Sequence, residues 1–243
     1  MQKGYIAVFD SGIGGLSVLK AMNDRFSGEN FLYCGDNKNA PYGDKSDYKL
    51  LDLFISNYLS LSDFDIKAAV LACNTLSLNI LSEAQEFCPV KVYGIFPPIE
   101  KCIIEKKKTL LLATPVSCKK YSDINYDNVK ILPVKNLAAD IEKFAFDSEN
   151  IDLSAYEFYD KKYVGAFERV ILGCTHYELI KNKIFNHLKP LKIISGTDDL
   201  IDKLSKENIC SDSIKNISKN QVIFVGENAN KNYCVWKKVV NGF

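Results

Sequence analysis

Arginine is scarce in this chain: among 31 basic residues only Arg25 and Arg169 carry guanidinium groups. Planar, bidentate clamps on phosphate are correspondingly few. Neither sign of charge is in surplus, since 31 Lys and Arg stand against 30 Asp and Glu and leave +1, with a pI near 7.5. That balance offers no basic footprint for nucleic acid and no acidic tail, so no nucleic-acid partner is expected. Long apolar runs are also missing; none approaches the roughly eighteen residues of a membrane span. The first run, from Tyr5 to Phe9, stops at the carboxylate of Asp10 and is too short for a signal peptide. A soluble, cytoplasmic protein with no membrane partner is the expectation. Histidine is limited to two residues, and none of the eight cysteines (34, 73, 88, 102, 118, 174, 210, 234) forms a CxxC pair. No metal site is expected, and the thiols are expected to be free.

What the chain does have is alternation. Its 243 residues suffice for one large α/β domain or two small ones. Short apolar runs bounded by Gly, Asp, Asn or Pro alternate with segments of helical period, the pattern of repeated β-α units around parallel sheets. Strands are predicted at 5–9, 30–34, 67–72, 91–95, 109–113, 129–134, 169–172, 192–194 and 222–225. A helix is predicted over 46–61, with Ser46 as N-cap, Asp47 in the first turn, and Leu50, Leu51, Phe54 and Tyr58 along one face. Pro97-Pro98 reads as a crossing between two units, and Glu105-Lys-Lys-Lys108 as a solvated helix end. The strand at 222–225 and a helix over 228–240 could return to the first unit.

The sequence also looks duplicated. Val70-Leu-Ala-Cys-Asn-Thr75 and Val170-Ile-Leu-Gly-Cys-Thr-His176 are both apolar runs that end on a thiol. Each lies about sixty residues after an earlier run, Ile6-Ala-Val-Phe-Asp-Ser11 in one case and Leu110-Leu-Leu-Ala-Thr-Pro115 in the other. Two similar α/β lobes facing each other would produce this.

Ligands of open α/β sheets sit at the carboxyl ends of strands. That rule selects Asp10-Ser11, Cys34-Gly-Asp36, Cys73-Asn-Thr75, Thr114 and Cys174-Thr-His176. A thiol just before a helix is placed for the helix N–H groups to lower its pKa from about 8.5 toward neutrality. Redox chemistry would want the two sulfurs in contact. Acid–base chemistry would want them on opposite sides of a substrate carbon, one removing a proton and the other returning one, which inverts a stereocentre. The expected separation with substrate bound is then about 7 Å. His176 lies within reach of Cys174, Asp10 could serve Cys73 likewise, and His187 reads as a surface residue. Asp10-Ser-Gly-Ile-Gly-Gly15 is either a tight turn needing glycine or a phosphate cradle. It lacks both the G-x-G-x-x-G spacing and a Walker lysine, and it sets a carboxylate at its own mouth. The loop Gly35-Asp-Asn-Lys-Asn-Ala-Pro-Tyr-Gly43 is long for a βα connection and reads as functional or as ordinary surface.

Four motifs in order, Phe9-Asp-Ser-Gly-Ile-Gly-Gly-Leu-Ser17, Pro41-Tyr-Gly43, Ala72-Cys-Asn-Thr75 and Leu172-Gly-Cys-Thr-His-Tyr177, resemble those of glutamate racemase, in the aspartate/glutamate racemase superfamily. The resemblance spans about residues 5 to 200. It implies a cofactor-independent enzyme that interconverts L- and D-glutamate and supplies D-glutamate for peptidoglycan. It further implies two pseudo-symmetric α/β lobes with the site between them, the first made of 1–96 plus 207–243 and the second of 97–206, paired as a homodimer. By the same resemblance Cys73 removes the α-proton of D-glutamate and Cys174 that of L-glutamate, with Asp10 and His176 as auxiliary acid–base groups. Ser11, Pro41, Tyr42, Gly43, Asn74, Thr75 and Thr175 match substrate-holding positions.

The chain departs from the pattern at Ala113-Thr-Pro-Val-Ser117, where Gly-Thr-x-x-Thr is usual; hydroxyls survive at Thr114 and Ser117 for carboxylate binding. Pro97 replaces a common Glu, and Glu178 a common Pro. A further family glutamate that assists the second cysteine maps onto Glu142, for which a surface charge is the alternative. A racemase for another amino acid, aspartate among them, and a two-lobed binding protein or redox sensor are the competing readings.

Overall fold

The computed structural model describes residues 4–122, 127–145, 147, 150–210 and 221–241. Of the lobe spans expected above, 1–3, 123–126, 146, 148–149, 211–220 and 242–243 lie outside the described residues. The strands are β1 (Tyr5–Asp10), β2 (Asn30–Gly35), β3 (Ile66–Leu71), β4 (Lys91–Gly94), β5 (Thr109–Ala113), β6 (Val129–Pro133), β7 (Arg169–Gly173), β8 (Lys192–Ile194) and β9 (Val222–Val225). Every expected strand is present to within a residue at either end. The helices are α1 (Leu16–Arg25), α2 (Asp47–Leu59), α3 (Asn74–Phe87), α4 (Ile99–Ile104), α5 (Pro115–Lys119), α6 (Leu137–Lys143), α7 (Thr175–Glu178), α8 (Lys181–Leu188), α9 (Thr197–Lys206) and α10 (Ala229–Asn241). Between α6 and β7 the described residues include short 3-10 turns at Leu153–Ala155, Glu157–Tyr159 and Lys161–Tyr163, which the apolar pattern does not announce.

The strands form two sheets, both parallel throughout: β4-β3-β1-β2-β9 and β6-β5-β7-β8. Read in reverse, the second order is β8-β7-β5-β6 and matches the first four strands of the other sheet. β1 thus corresponds to β5, and β3 to β7. Central strands are buried on both faces, as parallel sheets require, so they read as continuous apolar runs instead of alternating ones. The final strand β9 pairs with β2, Phe31 lying opposite Val222, and α10 packs on α1, β2 and β9.

Helix α2 shows how local sequence sets an element. The Ser46 hydroxyl accepts a hydrogen bond from the Lys49 N–H at 3.3 Å and so satisfies an orphan donor of the first turn. Leu50, Leu53 and Phe54 are buried beneath the helix, while Leu51 and Tyr58 pack at the margin of that core.

The chain leaves the first sheet after β4 through Phe96-Pro-Pro98 and leaves the second after β8 through Ser195-Gly196. The two crossings touch. A Cβ on Gly196 would lie 2.0 Å from the Phe96 carbonyl oxygen, so only glycine admits this approach. Helix α3 meets α5, and α1 meets α7 and α9, which brings the carboxyl ends of both sheets together. Among the described residues no helix is long and apolar enough to cross a membrane. All eight cysteines are free thiols.

Candidate active site

Asp10 ends β1, Cys73 follows β3, Thr114 follows β5 and Cys174 follows β7: four corresponding strand ends, two from each sheet. Cys73 is the N-cap of α3, and Cys174 holds the same position on α7. Around them Asp10, Ser11, Asn74, Thr75, Thr114, Ser117, Thr175 and His176 are each at most 5 % exposed, so polar side chains that normally face water are sealed in one cluster.

The polar groups satisfy one another across the seam. Asp10 Oδ1 accepts from the Gly12 N–H at 2.8 Å, and its Oδ2 accepts from the Thr175 hydroxyl of the other sheet at 3.1 Å. The Thr75 hydroxyl lies 3.3 Å from that of Thr114 and 3.4 Å from that of Ser117. Thr114, which caps α5, also donates to Ser117 Oγ at 2.9 Å. Gly43 reaches over from the β2–α2 loop so closely that a Cβ there would be 2.8 Å from Thr114 Cβ. Pro41, Gly43 and Thr114 line a cavity of about 390 Å³ whose rim carries Asp44, Lys119 and Lys135. Two expected ligands are engaged elsewhere: the Tyr42 hydroxyl donates to Asp36 at 2.6 Å, and the Asn74 amide donates to the Ile95 carbonyl at 3.4 Å.

Glu142 is not a surface charge. It is 8 % exposed, and its Oε2 accepts from the Ile13 N–H at 3.0 Å and from His176 Nε2 at 2.9 Å. Its Oε1 takes Lys231 Nζ at 3.0 Å and the Asn37 amide. Burial disfavours its charge, but the hydrogen bond and charge of His176, with Asn37 and Lys231, outweigh that and hold Glu142 down at about 2. His176 moves the opposite way. Burial works against its cation, yet the hydrogen bonds to Cys174 and Glu142 carry it well above the usual histidine value. The imidazolium so favoured has Nδ1 4.0 Å from Cys174 Sγ.

Cys73 overturns the expectation of a lowered thiol. Burial foremost, then the Asp10 carboxylate and Cys174, push it up to about 12, against the pull of the Leu76 and Thr75 N–H groups at the start of α3. A helix N-terminus is worth a fraction of a kcal/mol to about 2, and full desolvation exceeds it. Behind Cys174 the helix is only four residues long. Asp10 is itself raised, by burial first, with His176 and the N–H groups of Gly12 and Gly15 opposing and Glu142 adding to the rise.

The glycine-rich turn after β1 is likewise not a phosphate cradle. Its Gly12 and Ile13 N–H groups already bind the carboxylates of Asp10 and Glu142. Its glycines answer to close approach: a Cβ on Gly14 would be 2.5 Å from His176 Nδ1 and 2.6 Å from the His176 backbone nitrogen. Sequence reading missed Tyr33, whose buried hydroxyl donates to the Gly12 carbonyl at 2.8 Å, and also Asn37 and Lys231. Asn37 lies in the long loop already singled out; Lys231 has no local signal. His187 sits away from the site, stacked on Tyr159 with ring centroids 3.7 Å apart.

No protein-family model matches the chain. Among curated proteins it is 33 % identical over 231 residues to the glutamate racemase of Campylobacter concisus, covering 90 % of this chain and 88 % of that one. It is 32 % identical over 218 residues to the glutamate racemase of Clostridium acetobutylicum, covering 83 % of each. The fold is similar to the crystal structure of Campylobacter jejuni glutamate racemase at a TM-score of 0.79, 23 % identity and 98 % coverage of both chains. It is similar also to Escherichia coli glutamate racemase in complex with L-glutamate and the activator UDP-MurNAc-ala, at a TM-score of 0.79 and 22 % identity over 98 % of this chain and 95 % of that one. At those identities the two structures speak for the fold alone.

Proposed function

The chain belongs to the glutamate racemase family, and from that premise we propose that it interconverts L- and D-glutamate with two cysteines and no cofactor. One observation carries the reading: Cys73 and Cys174 follow corresponding strands of two like-ordered sheets, each as the N-cap of the next helix, and share a single buried cluster, near enough for the charge of one to act on the other.

In the proposed reaction a Cys73 thiolate takes the α-proton of D-glutamate, and the Cys174 thiol gives its proton to the opposite face. L-glutamate leaves, Cys73 is then the thiol and Cys174 the thiolate, and the reverse reaction restores the first state. No proton is gained or lost overall. In the closed site Cys73 is a thiol, because its pKa is pushed up to about 12. Its proton has to be taken as substrate arrives, and Asp10, a carboxyl raised by burial and facing the same thiol, is the acceptor. A substrate ammonium group beside them offsets the accumulated negative charge. On the other side the His176 imidazolium stabilises the Cys174 thiolate that the forward step leaves behind, while Glu142 holds the ring.

Removing an α-proton without carbonyl activation demands fixed donors around the developing carbanion in a site closed to water. Ser11, Asn74, Thr75, Thr114, Ser117 and Thr175 supply side chains of that kind, and the Thr75, Thr114 and Ser117 hydroxyls now bonded to one another would turn to a substrate carboxylate. Pro41, Tyr42 and Gly43 shape the loop above it. The catalytic lobes are taken as 1–96 plus 207–243 and 97–206. Supply of D-glutamate to peptidoglycan, work in the cytoplasm and assembly as a homodimer belong to the same proposal and rest on family membership.

Incubation with D-glutamate in deuterated water tests the reading: the wild-type chain should yield L-glutamate carrying deuterium at Cα. Cys73→Ser and Cys174→Ser should each lose about 10²-fold or more in rate, the scale of a general acid or base, with unchanged circular dichroism. Full activity in either variant overturns the two-thiol mechanism, and a wild type that exchanges nothing overturns the racemase reading.

A further inference from the structure

Glu142 comes from α6 on the second sheet, yet apart from His176 the groups that hold its carboxylate come from the first-sheet side. The Ile13 N–H belongs to the turn after β1, Asn37 to the loop after β2, and Lys231 to the first turn of α10. Lys231 Nζ also donates to the Glu142 carbonyl at 3.3 Å, so it grips both the side chain and the backbone where α6 nears its end. The neighbouring Asn232 is fully buried and donates to the Gly35 carbonyl at 3.4 Å, which fixes α10 to the end of β2. Lys231 is therefore presented to Glu142 from an anchored helix and does not reach it as a free surface lysine.

We propose that Lys231 is a positioning residue: together with Asn37 and the Ile13 N–H it forms a receptor that takes up Glu142 when the two halves close, and so sets the Glu142–His176 pair for catalysis. The inference rests on the reading above, in which His176 serves Cys174. Closure and chemistry are then joined through one carboxylate. With the halves apart, Glu142 keeps His176, which lies on its own sheet, and loses its three other partners. With the halves together, Lys231 shares the carboxylate's charge, and both oxygens are fixed so that the imidazole is held with Nδ1 toward Cys174. The titratable and charged groups facing this pair are Asp10 and Tyr33 from the first sheet, Cys174 from the β7–α7 junction and Lys231 from α10. Lys231 is the cation among them that the reaction does not otherwise use.

The test compares Lys231→Met, Lys231→Arg and Lys38→Met, the last breaking an exposed ion pair to Glu227 on the same side of the molecule. Lys231→Met should lower kcat/KM by roughly tenfold to a hundredfold, less than loss of an acid or base itself. The loss must be equal in both directions, because the equilibrium between mirror images fixes the ratio of the two kcat/KM values at one. The acid limb of its pH profile should move to higher pH, since Glu142 loses a cation that kept its carboxyl low. Lys231→Arg should restore both rate and profile, and Lys38→Met should match wild type in both. A Lys231→Met enzyme with wild-type rate overturns the proposal. So does one that loses rate and thermal stability with the profile unmoved, since that marks a merely structural lysine. A wild-type chain inert toward both enantiomers overturns the racemase reading and this inference with it.

Discussion

Asp10 carries a charge to a place from which water is excluded, and its raised pKa records the penalty. The sign follows directly. An acid that is harder to ionise when folded makes the fold less stable above its raised pKa, and the penalty disappears as pH falls below the ordinary carboxylate range. Asp10→Asn keeps an oxygen for the Gly12 N–H and removes the buried charge. It should raise the melting temperature at neutral pH by about 2–4 °C, equivalent to ~1 kcal/mol, while kcat/KM falls by about 10²-fold. The thermal gain should fade in acid; a melting temperature unchanged or lowered at neutral pH would refute the assignment. Glu142 is the contrasting case. His176, Asn37 and Lys231 hold it low, and removing one member of such a buried pair typically costs about 3–5 kcal/mol, although a well-packed apolar replacement of the whole pair is often harmless. A buried pair of this kind is thus better explained by chemistry than by stability.

At the scale of elements, the turn between β1 and α1 binds the seam. The Gly14 approach to His176 is to a backbone nitrogen that cannot swing aside, whereas a Cβ on Gly12 would meet the far end of the Glu142 side chain, 2.4 Å from Oε2. Gly14→Ala should therefore be the more damaging, lowering stability by about 1–3 kcal/mol through overpacking and kcat/KM by about 10²-fold through an ångström of misplacement. Thermal melts and steady-state rates of the two variants check the order, and Gly12→Ala as the worse would contradict it. The strands were legible because each parallel strand, covered on both faces, leaves a short apolar run with turn residues at its ends. Cys73, Cys174, Asp10 and His176 were legible because they sit at those ends. Lys231 was not, since it is one of several lysines in an amphipathic helix and meets Glu142 across 89 positions. Nor was the raised Cys73 thiol, because a sequence gives the helix behind a cysteine but not the depth of its burial.

Taken whole, the molecule is shut. Cys73 and Cys174 are 5 % and 7 % exposed, and the hydroxyls between the sheets bond to each other, so substrate enters only when the halves part. The crossings at Phe96 and Gly196, which touch, join the two halves. Site-resolved alkylation checks this. Exposed Cys234 should react in proportion to reagent concentration, whereas labelling of Cys73 and Cys174 should reach a ceiling set by opening and slow further in D-glutamate. Reaction of either catalytic thiol as fast as Cys234 would contradict a closed resting form.

The placement of β9 beside β2 has a separate bearing on how the protein is made. A ribosome releases the partners of the second sheet, all between Thr109 and Ile194, before it releases Val222–Val225. The sheet that begins first is thus finished last: its β2 edge waits without a neighbour while the other sheet can already be assembled.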